Sequence, residues 1–210
     1  PNLSKAYLKG NVWTSLLLSL KGKELWNIKF ADDKVGIVCG YPEGNTAVTE
    51  AFVYVTTDGG VNWKHSASST YLRNVQVLSS NNLYRTDFKF SSSRDSGKTW
   101  QTRSNPPGGI ARDVVMVDTL NGYLITYYTF PTPSEPKGKL FSTTNSGYSW
   151  VDRQDFQYYW VHGVFADKNG RVWITEGETG KLYVSLDYGV SNVPVDIQPY
   201  QNIVSANIGE

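Results

Sequence analysis

Five short segments recur along the chain: LWNIKF (25–30), LRNVQV (72–77), ARDVVM (111–116), VHGVFA (161–166) and YQNIVS (200–205). Their second positions hold Trp26, Arg73, Arg112, His162 and Gln201. Two guanidiniums, an imidazole, an amide and an indole gathered at one rim would form a cup for a carboxylate, a sugar or an acidic peptide, using charge-assisted hydrogen bonds and a flat apolar wall. Trp160, two residues before His162, adds a stacking face. The plainer alternative is that these side chains pair with Glu24, Asp113 or backbone carbonyls and line a watery channel. In either case residues far apart in sequence must become neighbours, so the elements that carry them must repeat around an axis.

The same segments describe that axis. Their fourth residues, Ile28, Val75, Val114, Val164 and Ile203, are all β-branched, and their third residues, Asn27, Asn74, Asp113, Gly163 and Asn202, are small or amide-like. That is the pattern of an innermost strand, where backbones crowd together. A second repeat marks turns. TTDGGVNW (56–63), SRDSGKTW (93–100) and TTNSGYSW (143–150) share Ser/Thr, any residue, Asp/Asn, any residue, Gly, two residues and Trp. SLDYGVSN (185–192) keeps Ser185, Asp187 and Gly189 but ends in Asn192, and YLKGNVW (7–13) keeps only Gly10 and Trp13. Asp58, Asp95, Asn145 and Asp187 can accept hydrogen bonds from their own turn's backbone, and Gly60, Gly97, Gly147 and Gly189 can take a positive φ. Trp63, Trp100 and Trp150 supply large apolar areas to bury between neighbouring units. The acidic residues therefore read as turn staples, with no catalytic role.

These turn stretches resemble the Asp box, or BNR repeat, of sialidase-type and related β-propellers. The text FADDKVGIVCG…VYVTTDGGVNW resembles more closely the propellers of the Ycf48/HCF136 type, which act in photosystem assembly. The resemblance implies an all-β propeller in which each box is the hairpin between the third and fourth strands of a blade. It also implies that the box turns lie on the face away from the usual ligand site. It specifies a fold, with no particular reaction.

Successive β-branched markers are 47, 39, 50 and 39 residues apart, and 35 residues remain from Ile203 through the C-terminus and back to Ile28. This spacing predicts one domain over 1–210: five blades of about four antiparallel strands, at about 23–68, 69–107, 108–157, 158–198, and 199–210 plus 1–22. The termini would close the last blade and remove the open sheet edges, the alternative being a larger propeller cut at both ends. Composition agrees with an all-β chain, since no helical periodicity lasts ten residues. The run SLLLSL (15–20) is too short to span a bilayer and reads as a buried strand.

The face opposite the boxes carries the variable loops, YPEGNTAVTE (41–50) and TFPTPSEPKG (129–138) against the tight EGETG (176–180). Interspersed charge, 20 basic against 19 acidic residues, gives no footprint for nucleic acid or an anionic membrane. Cys39 is the one cysteine, which excludes an internal disulfide and reads as a small buried filler. His65 and His162 occupy non-equivalent blade positions, so no histidine metal site and no cofactor is expected. A sialidase would need an arginine triad, and the family's Arg-Ile-Pro motif is missing, with only Arg73 and Arg112 at ring positions. A different glycoside hydrolase would need two facing carboxyls among Glu43, Glu50, Glu135, Glu176 and Glu178, none of which has a motif. The reading is a non-catalytic binding module or scaffold for a glycan or protein segment, with a glycoside hydrolase as the alternative. A chain starting at Pro1 without Met reads as a processed protein or excised domain, which points to an extracellular or periplasmic location.

Overall fold

The structure is a computed structural model that describes residues 23–42, 51–69, 72, 74–128, 137–156, 161–176, 181–191 and 193–196. They form four antiparallel four-stranded meanders. The first blade is β1 (Lys23–Phe30), β2 (Gly36–Pro42), β3 (Ala51–Thr56) and β4 (Lys64–Ser69). The second is β5 (Asn74–Ser79), β6 (Asn82–Thr86), β7 (Phe90–Ser93) and β8 (Gln101–Ser104). The third is β9 (Ile110–Met116), β10 (Gly122–Tyr127), β11 (Gly138–Thr143) and β12 (Val151–Phe156). The fourth is β13 (Val161–Ala166), β14 (Val172–Glu176), β15 (Lys181–Ser185) and β16 (Val193–Asp196). Their first strands pack on one another in the order β1, β5, β9, β13, which is a propeller arrangement. The described residues thus make four blades where the marker spacing predicts five. Residues 199–210 and 1–22, assigned to the fifth, lie outside the described residues.

The four Asp/Asn turns join the third and fourth strands of each blade and share one hydrogen-bond ring. The Thr56, Ser93, Thr143 and Ser185 hydroxyls accept from the Gly60, Gly97, Gly147 and Gly189 amides at 2.8–2.9 Å. Each Asp or Asn side chain then accepts from the amide four residues on, as Asp95 does from Thr99 at 2.9 Å. Saturation by such bonds, the Thr99 amide foremost, holds the Asp95 carboxyl down at about 2, and Asp187, bonded first by the Ser191 hydroxyl, is likewise at about 2. The residue before each turn glycine is also left-handed: Gly59, Ser96, Ser146 and Tyr188 have φ of 57–72°. Three of these residues donate their amide to the hairpin joining the first two strands of the same blade: Gly59 to Lys34, Ser146 to Leu120 and Tyr188 to Gly170.

Between blades the core is apolar, with Val53, Val55, Val75 and Leu83 at the first joint and Ile125, Leu140, Val164 and Ile174 at the third. A polar relay crosses the first two joints. Trp100 Nε1 donates to Ser66 Oγ at 2.8 Å, and the Ser66 hydroxyl donates to the Gly97 carbonyl. Trp150 Nε1 donates to Ser104 Oγ at 3.0 Å, and Ser104 donates to the Gly147 carbonyl at 2.6 Å. A Cβ on Gly147 would sit 2.2 Å from the Phe90 ring, so these glycines are needed for contact as well as for φ. Trp63, in the first blade, has a buried Nε1 with no hydrogen-bond partner among the described residues. The marker residue Ile28 is 54% exposed, whereas Val75, Val114 and Val164 are buried, each against the blade that precedes it among the described residues.

The relay gives a differential test. Trp100→Phe and Trp150→Phe each lose a buried hydrogen bond worth about 1 kcal/mol beyond the shared loss of ring area. Trp63→Phe removes an unpaired N–H and is expected to cost about 1 kcal/mol less than either. Urea denaturation of the three variants reads this out, and three equal costs would contradict it.

Candidate functional site

The inner strands start at the face opposite the box turns, and there three of the four carry a bulge. In β1 the pairing with β2 passes from Leu25 to Asn27, in β9 the pairing with β10 passes from Ala111 to Asp113, and in β13 the pairing with β14 passes from Val161 to Gly163. The skipped residues are Trp26, Arg112 and His162. A bulge turns its extra side chain out of the regular alternation, so three of the ring positions read from the sequence are re-aimed by the same backbone device. Arg73, Trp160 and Gln201 lie outside the described residues.

Arg112 and His162 meet. Arg112 Nη2 lies 2.7 Å from His162 Nδ1. A guanidinium can only donate, so Nδ1 is the acceptor and the imidazole is neutral with its proton on Nε2. Burial and the adjacent Arg112 charge both hold the His162 value below its ordinary range, while Glu176 pulls the other way. Arg112 also lies over the Tyr127 ring, 5.9 Å from its centre. Trp26 is half exposed and meets the Tyr41 ring edge-on at 4.8 Å. The described mouth therefore offers one permanent cation, a neutral imidazole with a donor, and an exposed indole face.

Beneath this ring lies a layer of staples. Asp113, partly buried, accepts from the Val114 amide through Oδ1 and from the Val164 amide of the next blade through Oδ2, both at 2.8 Å. Asn27 donates to Asn74 at 3.0 Å, and the Tyr41 hydroxyl donates to the Leu72 carbonyl. Arg112 is thus held by His162, and Asp113 serves the backbone of the neighbouring blade. Glu176, at the end of β14, is fully buried, a feature that its place at the start of the tight EGETG loop does not anticipate. The other four candidate carboxylates, Glu43, Glu50, Glu135 and Glu178, lie outside the described residues. Cys39 is buried, and burial pushes its thiol up to about 12. Among the described residues no cluster of His, Cys, Asp or Glu could hold a metal ion, and no helix is long and apolar enough to cross a membrane.

This geometry defines a β-propeller with a polar and aromatic mouth, and solved structures share its fold. One is YCF48 bound to a D1 peptide, with a TM-score of 0.61 and 17% identity over 82% of this chain and 54% of that one. An ancestral GH74 enzyme has a TM-score of 0.60 and 14% identity over 89% of this chain and 25% of the enzyme. A chain of the nidogen/laminin complex has a TM-score of 0.67 and 12% identity over 94% of this chain and 74% of that one. The chain therefore spans about half of the YCF48 structure and a quarter of the GH74 enzyme. No protein-family model matches it, and no curated protein sequence does.

Asp113 makes the inner ring sensitive to pH. Burial pushes its carboxyl up from 3.8 to about 6, against the pull of the Val164 and Val114 amides and of Lys29 and Arg112. A raised native value means that the protonated form fits best: its contribution is complete below about pH 4 and is lost as pH rises through about 6. Asp113→Asn removes this titration while turning an amide nitrogen toward the Val164 N–H. The variant is expected to be less stable than the parent at about pH 4, with the gap narrowing by up to about 3 kcal/mol by about pH 8. Denaturant unfolding across that range checks it, and a constant gap would contradict it.

Proposed function

We propose that this chain is a non-catalytic binding scaffold that holds a protein segment, or a glycan, at the propeller mouth. The observation that carries the reading is the repeated bulge presenting Trp26, Arg112 and His162 at the start of three inner strands. Arg112 supplies charge for a carboxylate, His162 Nε2–H a neutral donor, and Trp26 a stacking face. Arg73, Trp160 and Gln201 are proposed to extend the same rim, with the 41–50 and 129–138 loops as walls. A peptide ligand is favoured over a glycan by the fold neighbour YCF48, which was solved with a D1 peptide. Closure as a fifth blade by residues 199–210 and 1–22 is part of the proposal. The exposed Ile28 on β1 supports a further blade, since the equivalent Val75, Val114 and Val164 of the other inner strands are buried.

A glycoside hydrolase is the weaker reading. It would need two carboxyls facing one sugar, and the one described candidate, Glu176, is buried away from solvent.

The double variant Arg73→Ala with Arg112→Ala is expected to weaken binding to an array of acidic peptides at least about tenfold, with an unchanged thermal unfolding curve. A glycan array run beside it reads the second ligand class. Unchanged affinity in the double variant would overturn the site, and turnover of any arrayed glycan would overturn the non-catalytic assignment.

A further inference from the structure

The grooves between neighbouring box turns are built from the same positions but are not filled alike. In the fourth strands of the first three blades the third residue after the turn's tryptophan sits on a bulge: Ser66 in β4, Arg103 in β8 and Arg153 in β12. At the second joint Arg103 lies over the Tyr148 ring, 4.6 Å from its centre, and donates to its hydroxyl, which occupies the groove. Arg103 Nε is anchored on Ser92 at 2.8 Å, and Arg153 is anchored the same way on Ser142 at 2.7 Å. At the first joint both filling residues are exchanged. Ser66 stands in place of the arginine, and Lys98, the residue after the turn glycine, stands in place of Tyr148.

The consequence is an open cleft of about 480 Å³ lined by Lys64, His65, Ser66, Lys98, Thr57 and Asp58, among others. Its chemistry is set by which of these groups are already committed. Ser66 accepts from Trp100 and donates to the Gly97 carbonyl. Asp58 is occupied by its own turn, accepting from the Asn62 amide at 2.8 Å, the Asn62 side chain at 2.7 Å and the Thr56 hydroxyl at 2.9 Å. Lys64 and Lys98 are exposed and enter none of the ion pairs among the described residues. His65 has Nε2 on Ser68 at 3.1 Å and its ring against Tyr54, so Nδ1 is its remaining polar edge. Two ammonium groups, an imidazole and a hydroxyl thus border a hollow many times larger than the roughly 30 Å³ that one water occupies. Ammonium groups are point-charge donors suited to phosphate and sulfate oxygens.

We propose that this cleft is a second binding site, at the box-turn end of the first and second blades, for a small organic ligand bearing a phosphate or sulfate ester. Lys64 and Lys98 take the ester oxygens, and the Thr57 and His65 edge faces the organic body. The tie between the box turns and the hairpins after the inner strands puts this cleft at the opposite end of the blades from Trp26, Arg112 and His162. Occupancy of the two sites is therefore separable by mutation.

The test is a calorimetric titration of the full chain with glucose 6-phosphate, glucose 6-sulfate and glucose at one fixed ionic strength. Saturable binding of either ester without binding of glucose is the expected result, and the ester that binds tells phosphate from sulfate. Lys64→Gln with Lys98→Gln should weaken it at least about tenfold. Lys98→Tyr, which restores the filler found at the next joint, should abolish it with an unchanged unfolding curve, and Arg112→Ala should leave it intact. Failure of both esters to saturate, equal binding of glucose, or full affinity in Lys98→Tyr would overturn the proposal.

Discussion

The described joints between blades depend on backbone packed directly against a neighbour's side chains. Gly97 and Gly147 sit where a Cβ would strike Val55 of the preceding blade and the Phe90 ring respectively. That closeness brings the glycine carbonyl within reach of Ser66 or Ser104, and the same serine receives the tryptophan that ends the turn. One hydroxyl therefore satisfies a buried donor and a buried acceptor together, which matters because either one left alone would cost about 1–3 kcal/mol. In sequence the third joint has Asn192 at the tryptophan position and Gln154 at the position of Ser104. Leu140, Tyr123 and Ile174 pack together there.

The inner ring follows a related logic with different groups. Backbones that approach an axis leave amides without ladder partners, and the bulges add more. Asp113 meets this by bonding one amide of its own strand and one of the next, while the Asn27 side chain joins that of Asn74 across the first joint. A carboxylate in this position carries a desolvation penalty that an amide does not. The bulges that create the demand also free Arg112 and His162 to point at each other, so the mouth chemistry and the axial staples arise from one backbone irregularity.

Much of this was legible in the residues. The Asp/Asn turns declare themselves because local hydrogen bonding, positive φ and an apolar anchor each demand a particular residue type at fixed spacing. The inner strands declare themselves through β-branched residues at one register. The bulges were not legible, because an extra residue in a strand changes no residue type and shows only against its partner. The pairing of Arg112 with His162 was hidden for the same reason, since it joins positions 50 apart in sequence. Burial of Glu176 followed from β14 running further into the sheet than its glycine-rich continuation suggested. The left-handed Ser96, Ser146 and Tyr188 are not legible in sequence, because one glycine alone could supply a positive-φ turn, whereas two successive residues share it. Exposure of Ile28 depends on what lies beside β1, which its own sequence does not encode.

The amide that each of Gly59, Ser146 and Tyr188 gives to the first hairpin of its own blade fastens the two hairpins of that blade along a single edge. At the far edge the strands are joined by connections of unequal length, eight residues between β2 and β3 but three between β6 and β7. Lengthening a flexible connection costs only about 0.6 kcal/mol per doubling. A frame clamped on one side can therefore accept large changes of segment length on the other without losing its register, so the far edge is free to diversify while the clamped edge stays constant.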